Sequence, residues 1–106
     1  GACILGIPAS DTLKRVTDGG RIESTVDRKG IWLAQTPQAF WFDLLFNAYK
    51  KARFDGFYGT DDASLVERTG HPVIMVQGDW RNIKITSPSD LDLARLLAAA
   101  DPTRGA

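Results

Sequence analysis

The sequence predicts an α/β domain in which helices cover a small sheet. Two apolar runs, at 3–8 and 73–76, have the length and continuity of strands buried in a parallel sheet. Helical periodicity occurs near 41–55, 60–69 and 88–100, so strands and helices alternate along the chain. The core strands are too few to complete such a sheet. We therefore expect the chain to be a piece of a larger protein.

Length and composition indicate one domain of a globular protein. The chain has 106 residues, of which 43% are apolar and 25% charged. Thirteen Lys+Arg balance thirteen Asp+Glu, so the long-range field of a non-specific nucleic-acid binder or an anionic-membrane binder is missing. The single cysteine, Cys3, excludes an internal disulfide and is expected to be a small buried residue of the first strand. No apolar run approaches the roughly 20 residues that cross a bilayer. We expect neither nucleic acid nor a membrane as a partner.

A polar segment at about 11–34 predicts a protruding β-arm. Three short strand-like stretches are separated by glycine turns at 18–20 and 28–30, and the third stretch is 31–34. This segment is too polar to hold a core of its own.

Each predicted helix has sequence signals at its ends. The first begins near Trp41 and ends at Gly56. The second opens at Thr60, whose hydroxyl is expected to cap it, with the two following aspartates at the positive end of the helix dipole. The third begins at the capping box Ser87-Pro88-Ser89-Asp90.

Lys84 and Arg28 are the best candidates for a binding site. Residues 83–86 alternate Ile-Lys-Ile-Thr, which predicts a strand with Lys84 on the face opposite the isoleucines, just before a helix N-terminus. The helix dipole, free backbone N–H groups and the ammonium would converge there on an anion. Arg28 lies at a tight turn of the arm. The residue pattern alone leaves open that both are solvated surface cations.

Other reactive side chains have structural interpretations. Asp61 and Asp62 are adjacent and point about 100° apart on a helix, which favours capping over chelation of one metal ion. His71 lies at a helix-to-strand turn, where a solvated loop role is favoured over catalysis. The sequence contains no Gly-x-Ser-x-Gly, His-Glu-x-x-His or P-loop pattern.

Five motifs occur in an order that resembles a known family. They are Ser-Asp-Thr-Leu-Lys-Arg (10–15), Thr-Val-Asp-Arg-Lys-Gly-Ile-Trp (25–32), Gln-Thr-Pro-Gln-Ala-Phe (35–40), Thr-Asp-Asp-Ala-Ser-Leu-Val-Glu (60–67) and Asn-Ile-Lys-Ile-Thr-Ser-Pro-Ser-Asp-Leu (82–91). Together they resemble the C-terminal half of the 2-C-methyl-D-erythritol 4-phosphate cytidylyltransferases of the non-mevalonate isoprenoid pathway. The resemblance covers nearly all of residues 1–100.

The resemblance implies a Rossmann-like nucleotidyltransferase fold with a protruding β-arm. Residues 1–101 would be the C-terminal portion of one domain, and 102–106 a tail or linker. The implied enzyme transfers a cytidylyl group from CTP to 2-C-methyl-D-erythritol 4-phosphate with release of pyrophosphate. It uses Mg²⁺, forms a homodimer through the arm, and works in the bacterial cytoplasm or the plastid stroma. The family's Gly-rich CTP loop and Mg²⁺-binding acidic residues have no counterpart here, so we expect them in a missing N-terminal half.

The resemblance also assigns roles to four residues. Arg28 and Lys84 match the catalytic positions that hold the polyol phosphate for attack, and Thr12 and Thr36 match threonines that contact the same substrate. Because the family's arm reaches across the dimer, Arg28 and Thr12 would serve the neighbouring subunit's site. Lys84 and Thr36 would serve their own. Two alternatives stay open: a ribitol-5-phosphate cytidylyltransferase and a non-catalytic dimerisation fragment.

Overall fold

The computed structural model describes residues 1–101, which form two sheets and three α-helices. The elements in chain order are β1 (Ala2–Pro8), β2 (Leu13–Val16), β3 (Ile22–Val26), β4 (Trp32–Phe40), α1 (Phe42–Asp55), α2 (Asp62–Glu67), β5 (Ile74–Gln77) and α3 (Pro88–Ala100). The predicted α/β class is confirmed. The predicted tail at 102–106 lies outside the described residues.

The larger sheet has three strands in the order β4-β1-β5. β1 pairs in parallel with β5, where Cys3 lies opposite Ile74, and antiparallel with β4, where Ala2 lies opposite Phe40. Ala2 is buried on the face covered by α1 and α2, whereas Cys3 points to the other face and is exposed. The prediction of a buried Cys3 on a strand covered on both faces is therefore wrong: within residues 1–101, these helices cover one face only.

The core is small and lies between that covered face and the first two helices. Its buried members are Ala2, Ala48, Ala52, Leu65 and Val66. Ala48 and Ala52 lie four residues apart on one face of α1, and their small side chains allow the helix to pack close to α2 and the sheet.

The predicted ends of α1 are confirmed, whereas the predicted start of α2 is wrong by one residue. Trp41 is the N-cap of α1, and Gly56 ends it in the left-handed conformation with φ 68°. The N-cap of α2 is Asp61, whose carboxylate accepts a 2.8 Å hydrogen bond from the backbone N–H of Ser64. Thr60 lies one residue too early for this bond, so the carboxylate caps the helix instead.

The arm is a two-stranded hairpin. β2 and β3 pair only with each other in a separate sheet, with Leu13 opposite Val26, and most of their side chains are exposed. The predicted third arm strand is wrong because it opens β4 of the larger sheet, where Trp32 lies opposite Pro8. β4 therefore connects the arm directly to the core.

Residues 83–86 form an irregular loop and not the predicted strand. After β5, a turn bonds the backbone N–H of Asn82 to the carbonyl of Asp79 at 3.0 Å. The helix that follows, α3, has no buried residue. The Cα radius of gyration is 17.3 Å, above the value of about 13 Å for a compact domain of about 100 residues, in keeping with this open arrangement.

The start of α3 generates a prediction about pH. The Asp90 carboxylate accepts hydrogen bonds from the backbone N–H and the hydroxyl of Thr86, and also from the backbone N–H of Ser87, and these lower its pKa below 3.8. The stabilisation of the helix start is therefore complete above pH 3.8 and lost as the pH falls through the folded pKa. We expect Thr86→Val to raise the Asp90 pKa towards 3.8, measured by carboxyl ¹³C NMR titration.

Ser89→Ala is the matched control for that titration, because Ser89 lies beside Asp90 in α3 without bonding its carboxylate. It should leave the Asp90 pKa unchanged. If the Asp90 pKa were the same in Thr86→Val and in the unsubstituted chain, the hydrogen bond from the Thr86 hydroxyl would not be a cause of the lowered pKa.

Candidate functional site

A cavity of about 360 Å³ lies between β4 and the loop that follows β5. It brings together two of the four predicted site residues, Thr36 from β4 and Lys84 from the loop. The other lining residues are Ala34, Gln35, Gln38, Thr60, Asp61, Asn82 and Ile83. Separate segments of the chain therefore contribute polar groups to one concave surface.

Hydrogen bonds hold the loop against β4. The amide nitrogen of Gln35 donates to the carbonyl oxygens of Asp79 at 2.8 Å and Asn82 at 3.1 Å. In return, the amide nitrogen of Asn82 donates to the carbonyl oxygen of Thr36 at 2.7 Å. The Thr36–Pro37 peptide is cis. The loop is thus fastened to the strand by side chains from both segments.

A second glutamine of β4 holds the start of α2. Gln38 donates from Nε2 to the Asp61 carboxylate at 3.1 Å and accepts from the backbone N–H of Ala63 at 3.2 Å. Asp61 is therefore occupied by its cap and by Gln38, which confirms the capping interpretation of this residue. Its neighbour Asp62 accepts a 2.5 Å hydrogen bond from the Tyr49 hydroxyl, and this bond is the main reason why the pKa of Tyr49 is raised.

Lys84 and Thr36 offer free donors in the cavity. Within residues 1–101, the Lys84 ammonium and the Thr36 hydroxyl form no hydrogen bond or ion pair. The predicted support of Lys84 by a strand is wrong, since the lysine lies on a loop. By contrast with these free side chains, the backbone N–H groups of Thr86 and Ser87 at the start of α3 already donate to the Asp90 carboxylate. These two backbone N–H groups are therefore not free to bind an anion.

The two arm residues lie apart from this cavity. Thr12 is exposed just before β2, and Arg28 is exposed in the segment between β3 and β4. Arg28 donates from Nη1 to the carbonyl oxygen of Ser10, which ties the base of the hairpin together. Neither residue lines the cavity of Thr36 and Lys84. Within one copy of the chain, the four predicted site residues thus form two separate pairs.

The turn before Lys84 is reinforced by an ion pair. Arg81 donates to both carboxylate oxygens of Asp79, from Nε at 3.0 Å and from Nη2 at 2.9 Å. These hydrogen bonds lower the pKa of Asp79 to about 2. The pair therefore stays ionised throughout the physiological pH range.

The adjacent carboxylates of Asp61 and Asp62 at the start of α2 accept the hydrogen bonds described above. Within residues 1–101, no group of three or more His, Cys, Asp or Glu side chains is placed to hold a metal ion. His71, for which the sequence favours a solvated loop role over catalysis, contacts the carbonyl oxygen of Pro72 through Nδ1 at 2.8 Å.

Sequence reasoning did not propose as site residues four polar residues of the cavity: Gln35, Gln38, Thr60 and Asn82. A signal for three of them exists. Amide side chains flank Thr36 at 35 and 38 within a strand, and Asn82 lies two residues before Lys84. Amides placed beside a predicted binding residue are suited to hydrogen-bond backbone groups and fix its surroundings.

In the part of the chain that the structure describes, no helix is both long and apolar enough to span a bilayer.

Comparisons with known proteins agree with one another over nearly the whole chain. The family model for 2-C-methyl-D-erythritol 4-phosphate cytidylyltransferase matches residues 1–99. The protein of that name from Syntrophus aciditrophicus is 61% identical over 94 residues, which cover 89% of this chain and 40% of the relative. The protein of the same name from Bacillus licheniformis is 50% identical over 101 residues, which cover 95% of this chain and 43% of that relative.

Solved structures give the same result. The crystal structure of 2-C-methyl-D-erythritol 4-phosphate cytidylyltransferase from Thermus thermophilus superimposes with a TM-score of 0.85 at 40% identity, covering 94% of this chain and 49% of that one. The crystal structure of the protein of the same name from Francisella tularensis gives a TM-score of 0.80 at 37% identity, covering 90% of this chain and 44% of that one. The chain thus spans less than half the length of these relatives. The predicted nucleotidyltransferase fold is confirmed, and the chain belongs to the 2-C-methyl-D-erythritol 4-phosphate cytidylyltransferase family.

Proposed function

We propose that this chain supplies the acceptor-phosphate site of a parent enzyme that transfers a cytidylyl group from CTP to 2-C-methyl-D-erythritol 4-phosphate. The observation that carries the proposal is the pairing of a free ammonium, Lys84, with a free hydroxyl, Thr36, in one cavity of a chain that belongs to this family. A phosphate monoester attached to a polyol matches a cation beside hydroxyl and amide groups.

The reaction is an in-line displacement at the α-phosphorus of CTP. An oxygen of the polyol phosphate forms a bond to that phosphorus, the bond to the β-phosphate bridging oxygen breaks, and pyrophosphate leaves. Lys84 neutralises part of the charge of the attacking phosphate, and the Thr36 hydroxyl donates to one of its oxygens. Catalysis by this chain is then positioning and charge stabilisation, with no covalent enzyme intermediate.

CTP binds outside this chain in our proposal. The relatives are more than twice as long as the matched segment, and the sequence contains no P-loop pattern to hold a triphosphate. We propose that an N-terminal half of the parent supplies the CTP loop. Mg²⁺ would arrive with the nucleotide and be held by its phosphates and by groups outside residues 1–101. The curated relatives come from bacteria, and we propose a bacterial cytoplasm or a plastid stroma as the compartment.

A second copy of the parent would complete the site through the arm. Arg28 and Thr12 lie on a segment whose strands pair only with each other and expose most of their side chains. A two-stranded hairpin has little stability alone and leaves both edges open. Packing against a second copy around a two-fold axis would cover these edges with one self-complementary surface. Arg28 and Thr12 of one subunit would then face Lys84 and Thr36 of the other.

Two alternatives predict different measurements. A ribitol-5-phosphate cytidylyltransferase would prefer ribitol 5-phosphate when both polyol phosphates are offered with CTP. A non-catalytic dimerisation fragment would form dimers, and substitution of Lys84 would not alter any cytidylyl transfer. The names of the matched relatives favour the methylerythritol phosphate.

The first prediction concerns the chain alone. We expect the purified 106-residue chain to release no pyrophosphate from CTP, with or without the polyol phosphate, because its sequence contains no Gly-rich P-loop pattern that would orient the triphosphate. A coupled pyrophosphate assay measures this, with the parent enzyme as the positive control. Steady release that survives repurification would contradict the division of roles.

The second prediction concerns assembly. We expect the parent enzyme to be a dimer at micromolar concentration in analytical ultracentrifugation. Deletion of the hairpin, residues 13–26, should convert it to a monomer without unfolding it, since the hairpin is separate from the larger sheet. A monomeric parent, or a deletion variant that remains a dimer, would show that the arm has another role.

The third prediction concerns the two cations. Loss of one partner of a desolvated charge pair costs about 2–5 kcal/mol, or roughly 30-fold and more in rate or affinity. We therefore expect Lys84→Ala and Arg28→Ala in the parent each to lower kcat/KM for the polyol phosphate at least about 30-fold, with KM for CTP nearly unchanged. Lys51→Ala, which removes an exposed cation of α1, is the matched control. Near-normal kcat/KM in either site variant would contradict its assignment.

Mixing the two variants tests whether the cations come from different subunits. A hybrid dimer has one site with both Lys84 and Arg28 intact and one site with neither. We expect a mixture to exceed the activity of each variant alone once subunit exchange is verified by mass. Exchange without any gain would place both cations in one subunit.

A further inference from the structure

The loop that carries Lys84 has little regular support of its own. Residues 82–86 belong to no helix or strand, and Lys84 itself has no partner in the described chain. A lysine on a free loop would lose much conformational entropy when it is fixed against a phosphate. The position of its backbone must therefore be set by contacts elsewhere in the loop.

Two amide side chains supply these contacts in opposite directions. Gln35, on β4, uses its amide nitrogen to hold the carbonyl oxygens of Asp79 and Asn82, at 2.8 and 3.1 Å. Asn82, on the loop, donates to the carbonyl oxygen of Thr36 at 2.7 Å. The bridges span 44 to 47 positions of sequence. Gln35 immediately precedes Thr36 in the chain, and Asn82 lies two residues before Lys84.

The Gln35 amide is also fixed in orientation. Its Oε1 atom is buried and has no hydrogen-bond partner within residues 1–101. Exchanging the amide oxygen and nitrogen would bring Oε1 against two carbonyl oxygens, so only the observed orientation satisfies the loop. A Cβ atom at Gly78 would lie 2.3 Å from Oε1. The glycine therefore leaves the space that this orientation needs.

We propose that Gln35 and Asn82 are positioning residues that set the distance between Lys84 and Thr36, and so the fit of the cavity to the acceptor phosphate. This inference rests on the proposed function of that cavity. Neither residue needs to touch substrate for this role. Since a displacement of about 1 Å at a reacting group costs up to about 100-fold in rate, loosening the loop should affect steps that involve the acceptor phosphate and leave CTP binding intact.

The test uses the parent enzyme with Gln35→Met, which keeps the side-chain length and removes both donors. We expect kcat/KM for the polyol phosphate to fall about 10- to 100-fold, with KM for CTP unchanged within about twofold. Gln77→Met, at an exposed position of β5, is the matched control and should retain full activity. An unchanged kcat/KM in a folded Gln35→Met enzyme would overturn the proposal.

A double-substitution cycle separates positioning from general weakening of the fold. If Gln35 acts through Lys84, the variant Lys84→Ala/Gln35→Met should be no more than about threefold worse than Lys84→Ala alone. Losses that multiply would show that Gln35 supports the fold in general and would overturn the proposal. If Lys84→Ala itself has no effect, the proposed function of the cavity fails, and this outcome is distinct from the failure of Gln35 alone.

Two further variants serve if Gln35→Met does not fold. Asn82→Ala removes the opposite bridge at an exposed position. Gly78→Ala pushes directly on the Gln35 amide. Both should repeat the selective loss for the polyol phosphate and the non-additivity with Lys84→Ala. Full activity in both variants would overturn the proposal.

Discussion

Hydrogen bonds from two glutamine side chains of β4 hold the parts of this molecule together around the cavity. Gln35 fastens the loop after β5, and Gln38 fastens the start of α2. Both connections join segments far apart in sequence, and neither involves apolar burial. The hydrogen bonds of Gln35 hold the loop against the strand, whereas at α2 those of Gln38 add to the packing of Leu65 and Val66 in the core.

The sequence was sufficient for elements whose boundaries are decided locally. Gly56 ends α1 because a residue that tolerates positive φ is needed to continue the chain there. The capping box at Ser87 and Asp90 starts α3 as expected. β1 and β5 lie where the apolar runs predicted them. In each case a short stretch of chain contains the whole physical reason.

The errors arose where distant segments decide the outcome. Alternation at 83–86 indicated a strand, yet a strand needs a neighbouring strand to satisfy its backbone, and within residues 1–101 this segment pairs with none. The expectation of a buried Cys3 was wrong because an apolar run in the sequence does not reveal how many faces of the sheet are covered. The hydrogen bonds between Gln35 and the loop span more than forty residues, so a local pattern of amides could mark Gln35 but could not show which groups it bonds, whereas the family resemblance did identify Thr36 and Lys84 as candidates.

The two cations that are predicted to bind phosphate, Lys84 and Arg28, differ in the contacts that they make within the protein. The Lys84 ammonium is free of protein partners within residues 1–101, so a phosphate replaces only water there. Arg28 already donates to the neutral carbonyl of Ser10, and an anionic oxygen that took this bond would form a stronger, charge-assisted one. Because a guanidinium carries five N–H donors, Arg28 could bind a phosphate with its remaining donors while its bond to Ser10 is kept.

The exposed edge of β5 has a consequence for work with the chain in isolation. β5 is an outer strand of the larger sheet, and all four of its residues are exposed. Its sequence, Ile-Met-Val-Gln, contains neither a charge nor a proline, which are two of the features that keep strand edges from pairing with other molecules. We therefore expect the isolated chain to associate through this edge as its concentration rises.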